Sequence, residues 1–268
     1  MHGERWAELH PTVGACVWLP APDRPVLVQN EVHVWKAQLD QDAEGHPAFW
    51  ETLSCGEQRR AERFRRQQDR RHFIVARGIL RNILSRYLPD SPGNIRLCYG
   101  AHGKPCLAGA RGGGSLQFNL SHSEGMAVYA ISAQYRVGID LERIRPIQYQ
   151  RLLREFSPAE RAAISQLPED KQREAFFRLW TCKEAYVKAR GQGMSLPFDS
   201  FDLRVAASLP ARTLSIRPPS AESSWWTFID LPVDKSDTDG WTATLAAEGP
   251  NLDLRCWAWI GPNEPMVT

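Results

Sequence analysis

The chain has 268 residues, 43% of them apolar and ten of them tryptophan, enough to bury a core as one large domain or two small ones. Its formal net charge of +2 excludes a uniformly basic or acidic protein, so a charged partner must be met by a local patch. No run of about eighteen apolar residues occurs and residues 1–13 are polar, so neither a membrane-spanning helix nor a secretion signal is expected, and the expected location is the cytoplasm.

Residues 1–30 carry Pro11, Pro20, Pro22 and Pro25 without periodicity and read as an irregular arm, with a short extended piece at 15–19. Residues 32–37 alternate and predict a strand, followed by a loop over 40–49. Apolar spacing predicts helix over 54–88, in two pieces, ended by Pro89. Short strands are predicted at 95–99, 116–120 and 126–132, with a glycine-rich turn at 112–114. Residues 137–141 predict another strand. Ser157-Pro158-Ala159-Glu160 reads as a helix start, with serine as cap, proline at the first position and glutamate at the third. A main helix follows over 171–190, stopped by Gly191 and Gly193, and then strands at 201–205, 225–231, 241–246 and 254–259.

Both halves run strand, helix, strands, and Ser54-Cys55-Gly56-Glu57 echoes Ser157-Pro158-Ala159-Glu160. The expected fold is α+β: two similar lobes, 31–135 and 136–268, each a long helix packed on a small, mainly antiparallel sheet. The six cysteines (Cys16, Cys55, Cys98, Cys106, Cys182 and Cys256) form no CxxC pair and no zinc spacing, and are expected to be reduced thiols.

Asp140 and Glu142 are two apart on a strand and share a face. Glu184 and Lys188 are four apart on a helix and are neighbours. Magnesium binds through one or two carboxylates plus substrate phosphates, so three carboxylates and a lysine suit a metal and phosphate site. The plain alternative is solvated acids paired with arginines. Lys183 and Lys188 read either as surface ion pairs or as charge stabilisers for a leaving phosphate.

Ser121-His122-Ser123 follows a predicted strand, in a turn, where it can hydrogen-bond a phosphate. No G-x-S-x-G elbow supports a Ser–His nucleophile. Gly103-Lys104-Pro105 resembles a fragment of a phosphate loop, but Cys98 stands at the first glycine position and Pro105 follows the lysine. No dinucleotide fingerprint is present. Arg59, Arg60, Arg63, Arg65, Arg66, Arg70, Arg71 and Arg77 face only Glu62 and Asp69, a local excess of +6 that attracts phosphates or acidic proteins. No nucleic-acid motif accompanies them.

Taken in order, Gly103-Lys104-Pro105, Phe118 to Ser123, Gly138-Ile139-Asp140-Leu141-Glu142, Phe156-Ser157 with Glu160, Leu179 to Lys188, and Gly191-Gln192-Gly193 with Leu196-Pro197 and Phe201 resemble the 4'-phosphopantetheinyl transferases of the larger, surfactin-synthetase-activating type. The match covers roughly residues 53–205. The resemblance implies transfer of the phosphopantetheine arm of coenzyme A to a serine of an apo acyl or peptidyl carrier protein, serving fatty acid, polyketide or nonribosomal peptide synthesis. It implies a monomer with pseudosymmetric lobes and coenzyme A in the cleft between them. It implies Asp140, Glu142 and Glu184 as magnesium ligands, and Glu184, Lys188 and His122 as the catalytic set. Glu184 would be the base and Lys188 the cation at the leaving phosphate. Arg60, Gly103, Lys104, Pro105, Ser121, His122, Lys183 and Lys188 would hold coenzyme A. Glu57 departs from the pattern, standing where some relatives carry a phosphate-binding lysine. A salt-sensitive encounter of acidic carriers with the basic surface and with residues near 148–156 is expected. The competing readings are a magnesium-dependent nucleotide phosphohydrolase and a non-catalytic basic binding module.

Overall fold

The computed structural model describes residues 16–40, 46–109, 116–203, 216–217, 226–233, 240–249 and 252–261. The elements in chain order are β1 (Trp18–Pro20), β2 (Glu31–Gln38), α1 (His46–Thr52), α2 (Cys55–Glu62), α3 (Gln67–Ser85), β3 (Leu97–Tyr99), β4 (Pro105–Leu107), β5 (Gln117–Ser123), β6 (Met126–Ser132) and β7 (Val137–Arg143). Then come α4 (Tyr149–Leu152), α5 (Pro158–Ser165), α6 (Glu169–Arg190), β8 (Asp202–Leu203), β9 (Ile216–Arg217), β10 (Trp226–Asp230), β11 (Trp241–Glu248) and β12 (Asp253–Ala258). Helix α1 begins inside the stretch expected to be a loop, and the glycine-rich turn at 112–114 lies outside the described residues.

Strand alternation builds four layers. Trp35 and Ala37 of β2 and Ala127, Tyr129 and Ile131 of β6 pack against Ile74, Ile79 and Ile83 of α3. The intervening Val32, Val34, Met126, Val128 and Ala130 turn the other way, onto Val137, Ile139 and Leu141 of β7 and Leu245 of β11. The outer face of that second sheet, through Phe228 and Ala246, meets Ala185, Tyr186 and Ala189 of α6. The order is therefore α3, the five-stranded sheet β1-β12-β2-β6-β5, the three-stranded sheet β10-β11-β7, and α6. This is the α+β arrangement expected, with one correction. Strand β12, expected in the second lobe, lies parallel between β1 and β2 of the first.

A buried device repeats in the two halves. Ser54 and Glu57 form a capping box on α2, and Glu57 also accepts from Arg81 Nε and Nη2 at 3.0 and 2.6 Å. Arg81 Nη1 donates to the carbonyls of Pro92 and Ile95. Ser157 and Glu160 form the same box on α5, and Lys183 Nζ lies 2.8 Å from Glu160 Oε1. Lys183 then donates to the carbonyls of Phe198 and Phe201 at 2.6 and 2.7 Å. In each half a buried carboxylate pairs with a buried cation from the long helix, and that cation also donates to two carbonyls; Glu57 takes its bonds on Oε2, and its Oε1 is buried with no partner among the described residues. Glu57 is thus a structural acid rather than a lost phosphate ligand.

Four of the six cysteines are paired, contrary to expectation: Cys16 with Cys256, and Cys98 with Cys106 across the β3–β4 hairpin. Cys55 and Cys182 are free. Among the described residues no helix is long and apolar enough to cross a membrane.

Candidate active site

Gly138 sets the geometry. A Cβ there would lie 2.0 Å from the Ala185 carbonyl oxygen and 2.3 Å from the Ala189 nitrogen, so β7 and α6 meet backbone to backbone. Asp140 and Glu142 share the face of Gly138 by the two-residue strand period. Glu184 and Lys188 flank Ala185 and Ala189 on α6, one turn apart. Acidic residues at the start of α6, basic ones at its end and a left-handed Gly191 cap fix the helix that carries them.

Strand β5 lines the other side. Asn119, Ser121 and Ser123 alternate along one face of it and bridge the two sheets. Asn119 Oδ1 accepts from the Ile139 N–H at 2.8 Å, Ser121 Oγ donates to Asp140 Oδ1 at 2.9 Å, and Ser123 Oγ accepts from the Arg143 N–H at 3.3 Å. Ser121-His122-Ser123 therefore belongs to the strand. The turn lies after it, at Glu124 and Gly125, whose positive φ values of 39° and 86° make a tight two-residue hairpin.

Asp140 is 3% exposed. Its Oδ1 also accepts from Lys188 Nζ at 2.6 Å, and Lys188 donates to Ser121 Oγ at 3.0 Å. Its Oδ2 is buried with no hydrogen-bond partner among the described residues. Burial, then the charge of Asp140, push Glu142 up to about 7. The same two causes raise Glu184, with Lys188 opposing. Three carboxylates thus face one ammonium.

On the opposite face of β5, His122 looks toward a cationic region. The residue keeps exposed surface. Loss of hydration from the protein around it, then the charges of Lys188, Arg77, His72 and Arg60, lower it to about 4. Arg60 is exposed, lies over the Phe73 ring and lines a cavity of about 660 Å³ with Gly56, Arg59, Arg63 and Phe64. Arg77, by contrast, is 7% exposed, lies near the rings of Phe73 and Tyr99, and leaves Nη1 buried with no partner among the described residues. Burial lowers its pKa. A buried guanidinium with a free donor, beside His122 and Arg60, is suited to an anion. In the sequence it is one of eight arginines, and only burial distinguishes it.

Two lysines are engaged by protein groups. Lys183 is fully buried and engaged with Glu160, Phe198 and Phe201, about 140° around α6 from Lys188. Lys104 Nζ donates to the carbonyls of Val137 and Ala189, so its amine braces the hairpin against the starts of β7 and the end of α6. Burial lowers it to about 8. Gly103 supplies the positive φ of that hairpin loop, and Pro105 begins β4 behind it.

The expected three-carboxylate cage is not closed in this arrangement: among the described residues no three acidic, histidine or cysteine side chains converge on one ion position. The residues nonetheless fit a hard divalent cation. The donors are all carboxylate oxygens, Asp140 Oδ2 is buried without a partner among the described residues, and Glu142 and Glu184 are both raised, by burial first and then by the charge of Asp140.

Comparison with known proteins places the chain among relatives. Residues 136–246 match the 4'-phosphopantetheinyl transferase superfamily and residues 35–134 match the 4'-phosphopantetheinyl transferase N-terminal family. The 4'-phosphopantetheinyl transferase HetI of Nostoc sp. is 36% identical over 90% of this chain and 97% of its own length. The 4'-phosphopantetheinyl transferase Sfp of Bacillus subtilis is 30% identical over 60% of this chain and 70% of its own. A solved holo-(acyl-carrier-protein) synthase from Bacillus anthracis, in complex with CoA, shares 17% identity over 42% of this chain and 96% of its own, with a TM-score of 0.34, a likeness too slight to argue from. From the two matched segments and the extent of the HetI alignment, the chain belongs to the 4'-phosphopantetheinyl transferase family.

Proposed function

We propose that the chain transfers the 4'-phosphopantetheine moiety of coenzyme A to a serine hydroxyl of an apo acyl or peptidyl carrier protein. The carrier serine Oγ–phosphorus bond forms, the pyrophosphate P–O bond to the adenosine side breaks, and adenosine 3',5'-bisphosphate leaves. The observation that carries the reading is the backbone contact at Gly138, which sets Glu184 and Lys188 of α6 against Asp140 of β7.

Asp140, Glu142 and Glu184 would hold magnesium, which when bound neutralises the pyrophosphate toward an anionic attacker. Glu184, with its raised proton affinity, takes the serine proton. Lys188, on a flexible stem one turn away, neutralises the leaving phosphate. Ser121 holds Asp140 and Lys188 in register. Arg60, Arg77 and His122 receive the 3'-phosphate; a bound dianion would oppose the cationic charge that adds to loss of hydration in lowering His122. Gly103, Lys104 and Pro105 wall the nucleotide end, Lys104 through its hold on the hairpin. The cleft between residues 31–135 and 136–268 is the proposed place for coenzyme A.

Within the family, the reading extends to the Sfp-type subgroup, supported by the motif series and the alignment with Sfp, and it includes a monomeric state and a cytoplasmic location. The test is mass spectrometry of an apo carrier mixed with the protein, coenzyme A and magnesium. A gain of one phosphopantetheine per carrier supports the function; consumption of coenzyme A without carrier modification refutes it in favour of a phosphohydrolase.

A further inference from the structure

Asp140 is buried, and among the described residues Lys188 is the cation that reaches it, at 2.6 Å. The contact is reinforced, since Ser121 donates to the same Oδ1 and accepts from the same ammonium. A divalent ion on Asp140 would be forced beside that ammonium, where like charges repel. Lys188 also has an exit. Its side chain is 28% exposed, unlike the 4% of Asp140, and it stands in the last turn of α6 before the Gly191 cap. Its stem lets the ammonium swing outward without disturbing the helix.

We propose that Lys188 is the site's own competing cation: it occupies Asp140 until the pyrophosphate of coenzyme A draws its ammonium away, so that divalent metal and coenzyme A enter cooperatively. This rests on the reading of the site as a metal and coenzyme A centre. It adds to the leaving-group role of Lys188 a separate one, exerted before any bond changes. The closing of the carboxylate cage is then coupled to substrate: the anion that needs the metal also removes the ammonium that excludes it. Binding of each ligand strengthens binding of the other by the same factor, as linkage requires.

The experiment is titration of the full chain with Mn²⁺, free ion being read by electron paramagnetic resonance, with and without coenzyme A. In the wild type, coenzyme A should tighten Mn²⁺ binding about tenfold or more. Lys188→Met and Lys188→Gln should bind Mn²⁺ without coenzyme A about ten- to a thousandfold more tightly than wild type, the range over which a neighbouring cation shifts a carboxylate's affinity for a proton. Their enhancement by coenzyme A should shrink correspondingly. A cooperative melt of either variant suffices to make its result count. If both variants bind Mn²⁺ as the wild type does while the wild type keeps its coenzyme A-dependent binding, the competing-cation proposal is overturned and the metal reading stands. If the wild type binds no Mn²⁺ even with coenzyme A, the metal reading falls and takes this proposal with it.

Discussion

Replacing Gly138 by alanine tests the contact on which the site depends. The added Cβ would lie 2.0 Å from the Ala185 carbonyl oxygen, about 1.4 Å short of ordinary contact at 3.4 Å, and 2.9 Å from Ala189 Cα. These are backbone atoms, so no side-chain rotation relieves the overlap; β7 and α6 must separate by about an ångström. Overpacking of this kind costs about 1–3 kcal/mol, which in a chain of this size lowers Tm by roughly 2–12 °C. The separation also moves Glu184 and Lys188 away from Asp140. A misplacement of about 1 Å costs on the order of a hundredfold in rate. Gly138→Ala should therefore fold, melt earlier and lose about a hundredfold in kcat/KM for carrier modification, read by mass spectrometry beside a circular dichroism melt. Wild-type melting together with activity within about threefold of wild type would refute the argument from backbone contact.

Glu184→Gln keeps the side chain's size and should fold normally while kcat falls by about 10²–10⁴, the usual worth of a positioned base; near-normal turnover removes Glu184 from that role. Glu142, raised to about 7 from an ordinary 4.5, keeps its proton in the fold where the unfolded chain has lost it. Its contribution to stability is full below about pH 4.5 and lost as pH rises through about 7. The Tm advantage of Glu142→Gln over metal-free wild type should thus grow across that window and then level; a constant difference excludes the shift. Lys183→Met leaves Glu160 buried and unpaired and should cost about 3–5 kcal/mol of stability by urea melt, with KM for coenzyme A unchanged in protein that remains folded. A rise in KM without loss of stability would restore a ligand role to Lys183. Arg77→Ala should raise KM for coenzyme A about ten- to a hundredfold, the value of a charge-assisted hydrogen bond, yet leave 3'-dephospho-coenzyme A unaffected; equal loss with both substrates places Arg77 elsewhere.

What the sequence made legible was local. The capping box at Ser157 and Glu160, the stop at Gly191, and the shared faces of Asp140 with Glu142 and of Glu184 with Lys188 follow from spacing, because each involves neighbours within one turn or one strand. Distant pairing was not legible. Nothing near residue 256 says that its strand inserts between β1 and β2, or that Cys256 meets Cys16. Lys183 and Lys188 look alike in composition, and α6 is buried around much of its circumference, so the pattern alone does not tell which lysine faces the core. The alternation of Asn119, Ser121 and Ser123 between Phe118, Leu120 and His122 did carry a signal: three polar residues on one strand face imply a polar neighbour, and that neighbour is β7.

The position of β12 bears on how the molecule is made. Emerging from the ribosome, the first lobe holds β2 and β6 but lacks the strand that lies against β2 on its other side. That strand is translated more than a hundred residues after β6, so β2 waits with its hydrogen-bonding groups unmatched while the catalytic half is still being synthesised. Assembly of that sheet therefore waits for β12, and a nascent chain cut before residue 253 would display that bare edge to its neighbours.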